Sequence, residues 1–484
     1  MAGTNVRKFQ PRLDDSRLED LRKRLELACQ HEAAGAKVAQ FESTKDRFGL
    51  THSRFVELLH AWRDFVSPSE QGKQGRPGPD HDTWQAFEKH LDTFPHFVTS
   101  IEDIELHFIH ERASSTSDRR KVIPIVLLHG WPGSFHEFLN VIKPLAHPGE
   151  DAPPDTPAFH VVVPSHAGYV FSSTPKVDST GKGRHSGPDG DFTVPDEARL
   201  VHKLMMRLGY QHYAVQGGDW GSSVARYLAV KYPDHVKVAH FNAIPAPPPR
   251  LTLPLILSPL RSLIPIRFDP VLLLPGPLRY LVDSLQEITR GPLARSLYLQ
   301  SWPKPFLSLA NWFIGTPAPL TKEEQDCVRR ADEFVATGSA YSIMHGTRPS
   351  TIGIICASDP SALLAWIGEK FLSWSDEDPD DADIAASLTL WWCTDTMPRS
   401  LYNYRNRPPG GPRWVSDMRQ NYVYQPTGFS NFPKEIIASP RSWAAATCNL
   451  RWYRSHEGGG HFAALEKPAD FVEDVRDCLH ALWR

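Results

Sequence analysis

At 484 residues, 41% of them apolar, the chain can bury one large core and a second, smaller unit. Its formal net charge of −3 excludes the strongly basic surface of a nucleic-acid binder or of a protein drawn to anionic membranes. Six cysteines (Cys29, Cys327, Cys356, Cys393, Cys448 and Cys478) form no C-x-x-C pair, which argues against a disulfide framework or a zinc site and suits a reducing compartment.

The first residues, "MAGTNVRKFQPRLDD", are polar and open no signal peptide or anchor, so the expected location is the cytoplasm. "DDSRLEDLRKRLELACQ" offers Asp14 to Ser16 as caps, then Leu18, Leu21, Leu25 and Ala28 on one helical face. "RFVELLHAWRDFV" and "WQAFEKHLDTFPHF" continue a helical region over residues 1–100, interrupted by the polar, Gly/Pro-rich "SEQGKQGRPGPDHD".

Near residue 101 the pattern changes. "IELHFIHER" alternates like a strand, and "KVIPIVLLHG" is a continuous apolar run that stops at Gly130. "FHVVVPSHAGYVFSS", "HYAVQGG" and "VKVAHFNAI" are further runs. The apolar stripe Leu200, Val201, Leu204, Met205 and Leu208 ends at Gly209, the residue a helix C-terminus prefers. Apolar strands alternating with helices predict a mostly parallel sheet covered on both faces. "STPKVDSTGKGRHSGPDGD" is expected to be a surface excursion.

After residue 245 the alternation breaks into Pro-rich apolar sequence, and from Lys322 it is helical again in "EEQDCVRRADEFVATGSAY" and "SALLAWIGEKFLSW". The stretch Leu251 to Val282 does not read as a membrane span, because Pro254, Pro259, Pro265, Pro270 and Pro275 interrupt it and Arg261, Arg267 and Asp269 lie within it. Strand-like "RSWAAATCNLRWYRS" and the helical "ADFVEDVRDCLHALW" resume the strand–helix alternation of residues 101–245. The expected fold is therefore α/β. Its core runs over residues 101–245 and 406–484, with a mostly helical insertion at 246–405 that carries the Pro-rich segment.

"AVQGGDWGSSVARYLAV", Ala214 to Val230, is a strand, a Gly-framed turn and a helix, the shape of a nucleophile elbow with Asp219 at the apex. Gly217 and Gly221 flank it, where neighbouring backbone must come close. A carboxylate is ionised at neutral pH and displaces leaving groups at sp³ carbon, giving an enzyme-bound ester. The bland alternative is that Asp219 is only the helix N-cap. A serine esterase is not indicated, since Ser222 and Ser223 lie beyond the apex.

Other residues fit that chemistry. "LLHGWPGS" places His129, Gly130, Trp131, Pro132 and Gly133 directly after a strand, where the backbone N–H of Trp131 can join that of Trp220 as an oxyanion hole. "SHEGGGHFAALEKP" puts His461 on a glycine loop late in the chain, where this fold carries its base. An orienting acid is offered by Glu435 in "GFSNFPKEIIASPRSW" or by Asp395 in "CTDTMPRS"; Glu435 is preferred because Asp395 falls in the helical insertion.

Together "HGWPGSFHEFL", "GGDWGS", "PTGFSNFPKE", "GGGHFAALEKP" and the early "LDTFPHF" resemble the microsomal-type epoxide hydrolases, particularly the soluble fungal members, over nearly the whole chain. The resemblance implies an α/β-hydrolase fold with a helical cap and residues 1–100 as the family's N-terminal extension. It implies Asp219 as nucleophile, His461 as base with Glu435 as its partner, and two cap tyrosines. "SAYSIMHGTRPSTIG" matches the first of these at Tyr341 and "LYNYRNRP" the second at Tyr404, which precedes Arg405; Tyr402 is the nearby rival.

The implied reaction is epoxide opening to a vicinal diol through an Asp-bound ester, with an apolar epoxide and water as partners and neither metal nor cofactor. A homodimer is compatible with it, as is superficial membrane contact. The rival readings are a haloalkane dehalogenase, a biosynthetic epoxide-opening cyclase, and a binding protein on an inactive hydrolase scaffold. The Pro-rich stretch 245–319 is expected to line an apolar entrance, with core elaboration as the alternative.

Overall fold

The computed structural model describes residues 6–31, 49–67, 83–113, 121–149, 151–176, 191–246, 320–405 and 421–484. The Pro-rich segment, the two polar loops near residues 68–82 and 177–190, and residues 406–420 lie outside the described residues.

Nine strands make one sheet among the described residues: β1 (Val6–Lys8), β2 (His96–Ile101), β3 (Ile104–Glu111), β4 (Val122–Leu128), β5 (Ala158–Pro164), β6 (Tyr213–Gly217), β7 (Val236–Phe241), β8 (Val423–Asn431) and β9 (Cys448–Ser455). Their spatial order is β1-β2-β3-β5-β4-β6-β7-β8-β9. The pairs from β1 to β5 are antiparallel, and those from β5 through β9 are parallel. Helices α1 (Asp15–Gln30), α2 (His52–Val66), α3 (Trp84–Leu91), α4 (Leu139–Ala146), α5 (Val194–Arg207) and α6 (Asp219–Lys231) fall between the strands of the first half.

Two apolar cores lie on opposite faces of this sheet. One joins α1, α2, α4 and the C-terminal helix Pro468–Leu482; the other is built largely on α5 and α6. Coverage on both sides explains why β3, expected to alternate, is buried at Ile104 and from Leu106 through His110. This is the α/β-hydrolase fold.

The chain steps from β4 outward to β5 and returns past β4 to β6. The carboxyl ends of β4 and β6 are therefore neighbours at the point where strand order reverses, the place where open α/β sheets bind ligands. Above that end sit the helices of residues 320–405. Pro360 starts a new helix after Pro349–Ser358, and the two meet at 117°. No single helix among the described residues is long and apolar enough to cross a membrane; this bent pair passes by length and composition only.

Helices α1 and α2 pack against this group. Trp62 Nε1 donates to Thr389 Oγ1 at 2.9 Å, and Arg54 pairs with Asp381 at 2.6 Å. Asp14 caps α1, its side chain accepting from Ser16 N–H, with Leu18, Leu21 and Leu25 buried below.

Four local readings need correction. The first 100 residues are not helical throughout, because β1 and β2 belong to them. Helix α3 ends at Leu91, and "PHF" leads into β2 instead of continuing the helix. "RSWAAATCNLRWYRS" is strand only from Cys448, since Pro440 and the alanines set a short helix, Arg441–Ala445. The strand β8 was hidden by Pro426 and Gly428, which sit beside irregularities in its pairing with β9.

Candidate active site

Strand β6 passes through Gly218 directly into α6, and the turn holds Asp219 at φ 44°. The left-handed region is costly for most residues but tolerated by Asp. The crowding explains the glycines: a Cβ on Gly217 would stand 2.4 Å from the Gly221 carbonyl oxygen, and one on Gly221 only 1.9 Å from that of Leu128. The N-cap position is Gly218, not Asp219, so the bland alternative for Asp219 fails. Its side chain accepts instead from the Trp131 backbone N–H, at 2.9 Å to Oδ1.

Trp131 comes from the loop after β4. That loop is fixed from below by His129 and His166. The His166 backbone N–H donates to His129 Nε2 at 3.2 Å, and His166 Nε2 lies 2.8 Å from the His129 carbonyl oxygen. Burial first, then the neighbouring His166, hold the His129 imidazole well below its ordinary pKa, so it stays neutral. Burial also pushes His166 down, but Glu197 at 3.0 Å outweighs it and leaves its pKa raised. Pro132 O accepts from Trp391 Nε1 at 2.9 Å, fastening the loop to the helices above. Gly130 is bare because a Cβ there would meet Asp219 Cβ at 2.3 Å. Trp220 is the second residue of α6, whose first-turn N–H groups have no carbonyl partner within the helix.

His461 Nε2 lies 3.5 Å from Asp219 Oδ2, while its Nδ1 faces Glu435 Oε1 at 2.9 Å. Their loops continue the β8–β9 ladder by one rung, the bridge between Lys434 and Gly460. The His461 backbone N–H also donates to Trp374 O at 3.0 Å. His461 and Glu435 side chains are nearly inaccessible. Burial would lower the His461 pKa, but the Glu435 and Asp219 carboxylates more than offset this and hold it well above the ordinary value. Asp395, the rival acid, is an exposed partner of Arg17 and does not join the cluster.

Opposite the elbow, Tyr341 and Tyr404 are buried with their hydroxyl oxygens 3.4 Å apart. Trp131 stacks on Tyr341 (5.4 Å, 11°) and meets Tyr404 edge-on (5.7 Å, 87°). Burial first, then Tyr341 and the Asp219 charge, hold the Tyr404 phenol well above its usual pKa, so it remains a proton-bearing donor. Tyr402 instead bonds Ser350 Oγ at 2.8 Å.

Asp219, His461, Glu435, Tyr341, Tyr404 and Trp131 thus share one site, with His129, Gly130, Pro132 and Gly133 in the loop that shapes it. Such a set offers a carboxylate that an electrophilic carbon can alkylate, a proton for a leaving oxygen and a base for water.

Two features escaped sequence reasoning. Trp374 stands between His461 and Tyr341, with ring centroids 5.1 Å from each. Glu137 lines the same small cavity as Asp219 and His461. It lies inside "HGWPGSFHEFL", but only the tight turn Phe135–Phe138 brings it back beneath Gly133. Among the described residues no cluster of His, Cys, Asp and Glu has the form of a metal site.

Residues 6–138 match the family model "Epoxide hydrolase N terminus", and residues 123–261 match "alpha/beta hydrolase fold". The chain is similar to the solved Aspergillus niger epoxide hydrolase: 32% identity, TM-score 0.69, covering 98% of this chain and 96% of that one. A Dothistroma septosporum relative is 31% identical over 442 residues, covering 90% of this chain and 81% of its own length. Epoxide hydrolase 1 of Sus scrofa is 27% identical over 99% of this chain and 89% of its own.

Proposed function

The chain belongs to the epoxide hydrolases, and on that premise we propose that it opens its epoxide through an ester formed on Asp219. One observation carries this reading. The carboxylate at the elbow has Oδ1 gripped by the Trp131 N–H and Oδ2 turned toward His461.

In the first step Asp219 Oδ2 bonds one epoxide carbon as that carbon's bond to the ring oxygen breaks. The departing oxygen takes a proton from the Tyr341–Tyr404 pair, becoming the first hydroxyl of the product. Esterification removes the negative charge from Asp219, one of the two that raise the His461 pKa, so the imidazole becomes readier to act as a base.

In the second step His461, oriented by Glu435, takes one proton from water, and the hydroxide adds to the Asp219 carbonyl carbon. The oxyanion at Oδ1 rests on the N–H groups of Trp131 and Trp220. Collapse expels the product alkoxide, which takes the proton held by His461. The water's second proton, left on the Asp219 carboxyl, restores the phenol, and a vicinal diol leaves.

The same reading divides the chain by task. Residues 101–245 and 406–484 carry the nucleophile, acid and base, 246–405 the cap tyrosines, and 1–100 an extension that steadies the cap. An apolar epoxide and water are the partners it requires. A cyclase using the substrate's own hydroxyl would have less need of the His461–Glu435 pair, which favours hydrolysis.

Oxygen labelling tests the ester. In a single turnover in H₂¹⁸O, the label is expected in the Asp219 carboxylate while the diol stays unlabelled. A labelled diol from that first turnover would mean direct attack by water and would end the reading.

A further inference from the structure

Behind the Asp219–His461 pair is a cavity of about 20 Å³, enough for one water molecule. Asp219, His461, Gly130, Gly133, Glu137 and Phe138 are among the residues that line it. A carboxyl group is chemically out of place in so closed a corner. Glu137 keeps a little accessible surface as a residue, yet its Oε1 has essentially none and no hydrogen-bond partner. The Gly130 backbone acts on the carboxyl as a donor. Gly133 has no Cβ that could block it: one built there would lie 2.6 Å from Oε1. A buried, unmatched acceptor weakens a fold, and native proteins retain few of them without another reason.

We propose that Glu137 holds the water that hydrolyses the Asp219 ester, gripping it in the cavity it shares with His461. This role presupposes that the ester forms. His461 takes one of the water's protons, and Glu137 fixes a second direction of its hydrogen bonding. A remaining lone pair is thereby aimed at the Asp219 carbonyl carbon. Burial pushes the Glu137 pKa up to about 8, so at neutral pH it is an uncharged acid that both donates and accepts. It therefore places no second negative charge against Asp219.

Rapid-quench mass spectrometry on the full chain, with styrene oxide as probe, reads ester formation and ester decay separately. In Glu137→Leu, ester formation is expected within about threefold of the unsubstituted enzyme. Decay should slow by on the order of 10–10²-fold, so that the ester dominates the steady state. Glu137→Gln, which keeps a donor and an acceptor, should decay within about tenfold, and neither variant should lower Tm. Unchanged decay in Glu137→Leu would overturn the proposal, as would a joint fall of both rates together with Tm.

Should Glu137→Leu not fold, the pH profile of ester decay in Glu137→Gln decides. The titratable groups facing Glu137 are His461, Asp219 and His166, with His129, held neutral by burial, on the same cavity. In the ester Asp219 no longer titrates, and His166 stays paired with Glu197. The unsubstituted enzyme should therefore show inflections from His461 and Glu137, and the variant only the first; a profile unchanged by Glu137→Gln overturns the proposal. Absence of any ester in the unsubstituted enzyme would instead sink the Asp219 reading. Ester present but decaying normally in the variants would sink only the role of Glu137.

Discussion

Gly130 and Asp219 are packed so closely that a methyl group on the first would stand 2.3 Å from the Cβ of the second. The contact lets the next residue's N–H reach the carboxylate. Gly130→Ala must displace either the loop or the elbow, and with it the Trp131 donor. Loss of one such donor lowers kcat by on the order of 10²–10³-fold. Circular dichroism should stay native while kcat falls; full activity would show that the contact can be relaxed without consequence.

The paired phenols separate the two chemical steps. Tyr341→Phe and Tyr404→Phe should each slow ester formation by about 10²-fold, leaving ester decay nearly untouched. On the proposed mechanism both hydroxyls act on one oxygen, so the double variant should lose less than the product of the single losses. Rapid-quench measurement of both rates checks this, and slowed decay in either variant would contradict it.

Glu435→Gln should reveal the charge that supports His461. The folded-state pKa of His461 is raised, so the stability it contributes is fully present below its unfolded value, about 6.5, and is lost as pH rises through the folded value. The variant's deficit in Tm should therefore be largest below about pH 6.5 and narrow as pH increases. A deficit that widened with pH would refute this. Imidazole ¹⁵N shifts should report a lowered His461 pKa directly.

Trp62 links α2 to the helix that carries Thr389. Trp62→Phe removes a buried hydrogen bond and leaves the hydroxyl of Thr389 without its donor, costing about 1–3 kcal/mol. Urea denaturation should give that loss. Assayed well below the unfolding transition, kcat should be unchanged, since Trp62 lies in none of the site's contacts.

Much of the site was legible because its signals are local. Asp219 lies at a strand–helix junction with a glycine two positions away on either side, and Trp131 and His461 each follow a strand or glycine run within one short motif. The tyrosines were legible only by resemblance, because nothing in helical spacing separates a catalytic phenol from a packed one. Glu137 was not legible at all. Its meaning depends on a turn of four residues and on the missing side chain of Gly133, which sequence spacing does not convey. Nor was Trp374, whose neighbours His461 and Tyr341 come from distant parts of the chain. Strand β8 was missed for an opposite reason: Pro426 and Gly428 speak locally against a strand, and the sheet overrules them with an irregular rung.

The extra rung between Lys434 and Gly460 ties the acid–base spacing to the register of the sheet. Strand residues advance about 3.3 Å each. One residue inserted between Asn431 and Glu435, or between Ser455 and His461, would slide one partner past the other by more than the 2.9 Å that joins them. Length can change between Glu435 and Cys448 without moving that spacing, and is fixed on the short path from each strand to its side chain.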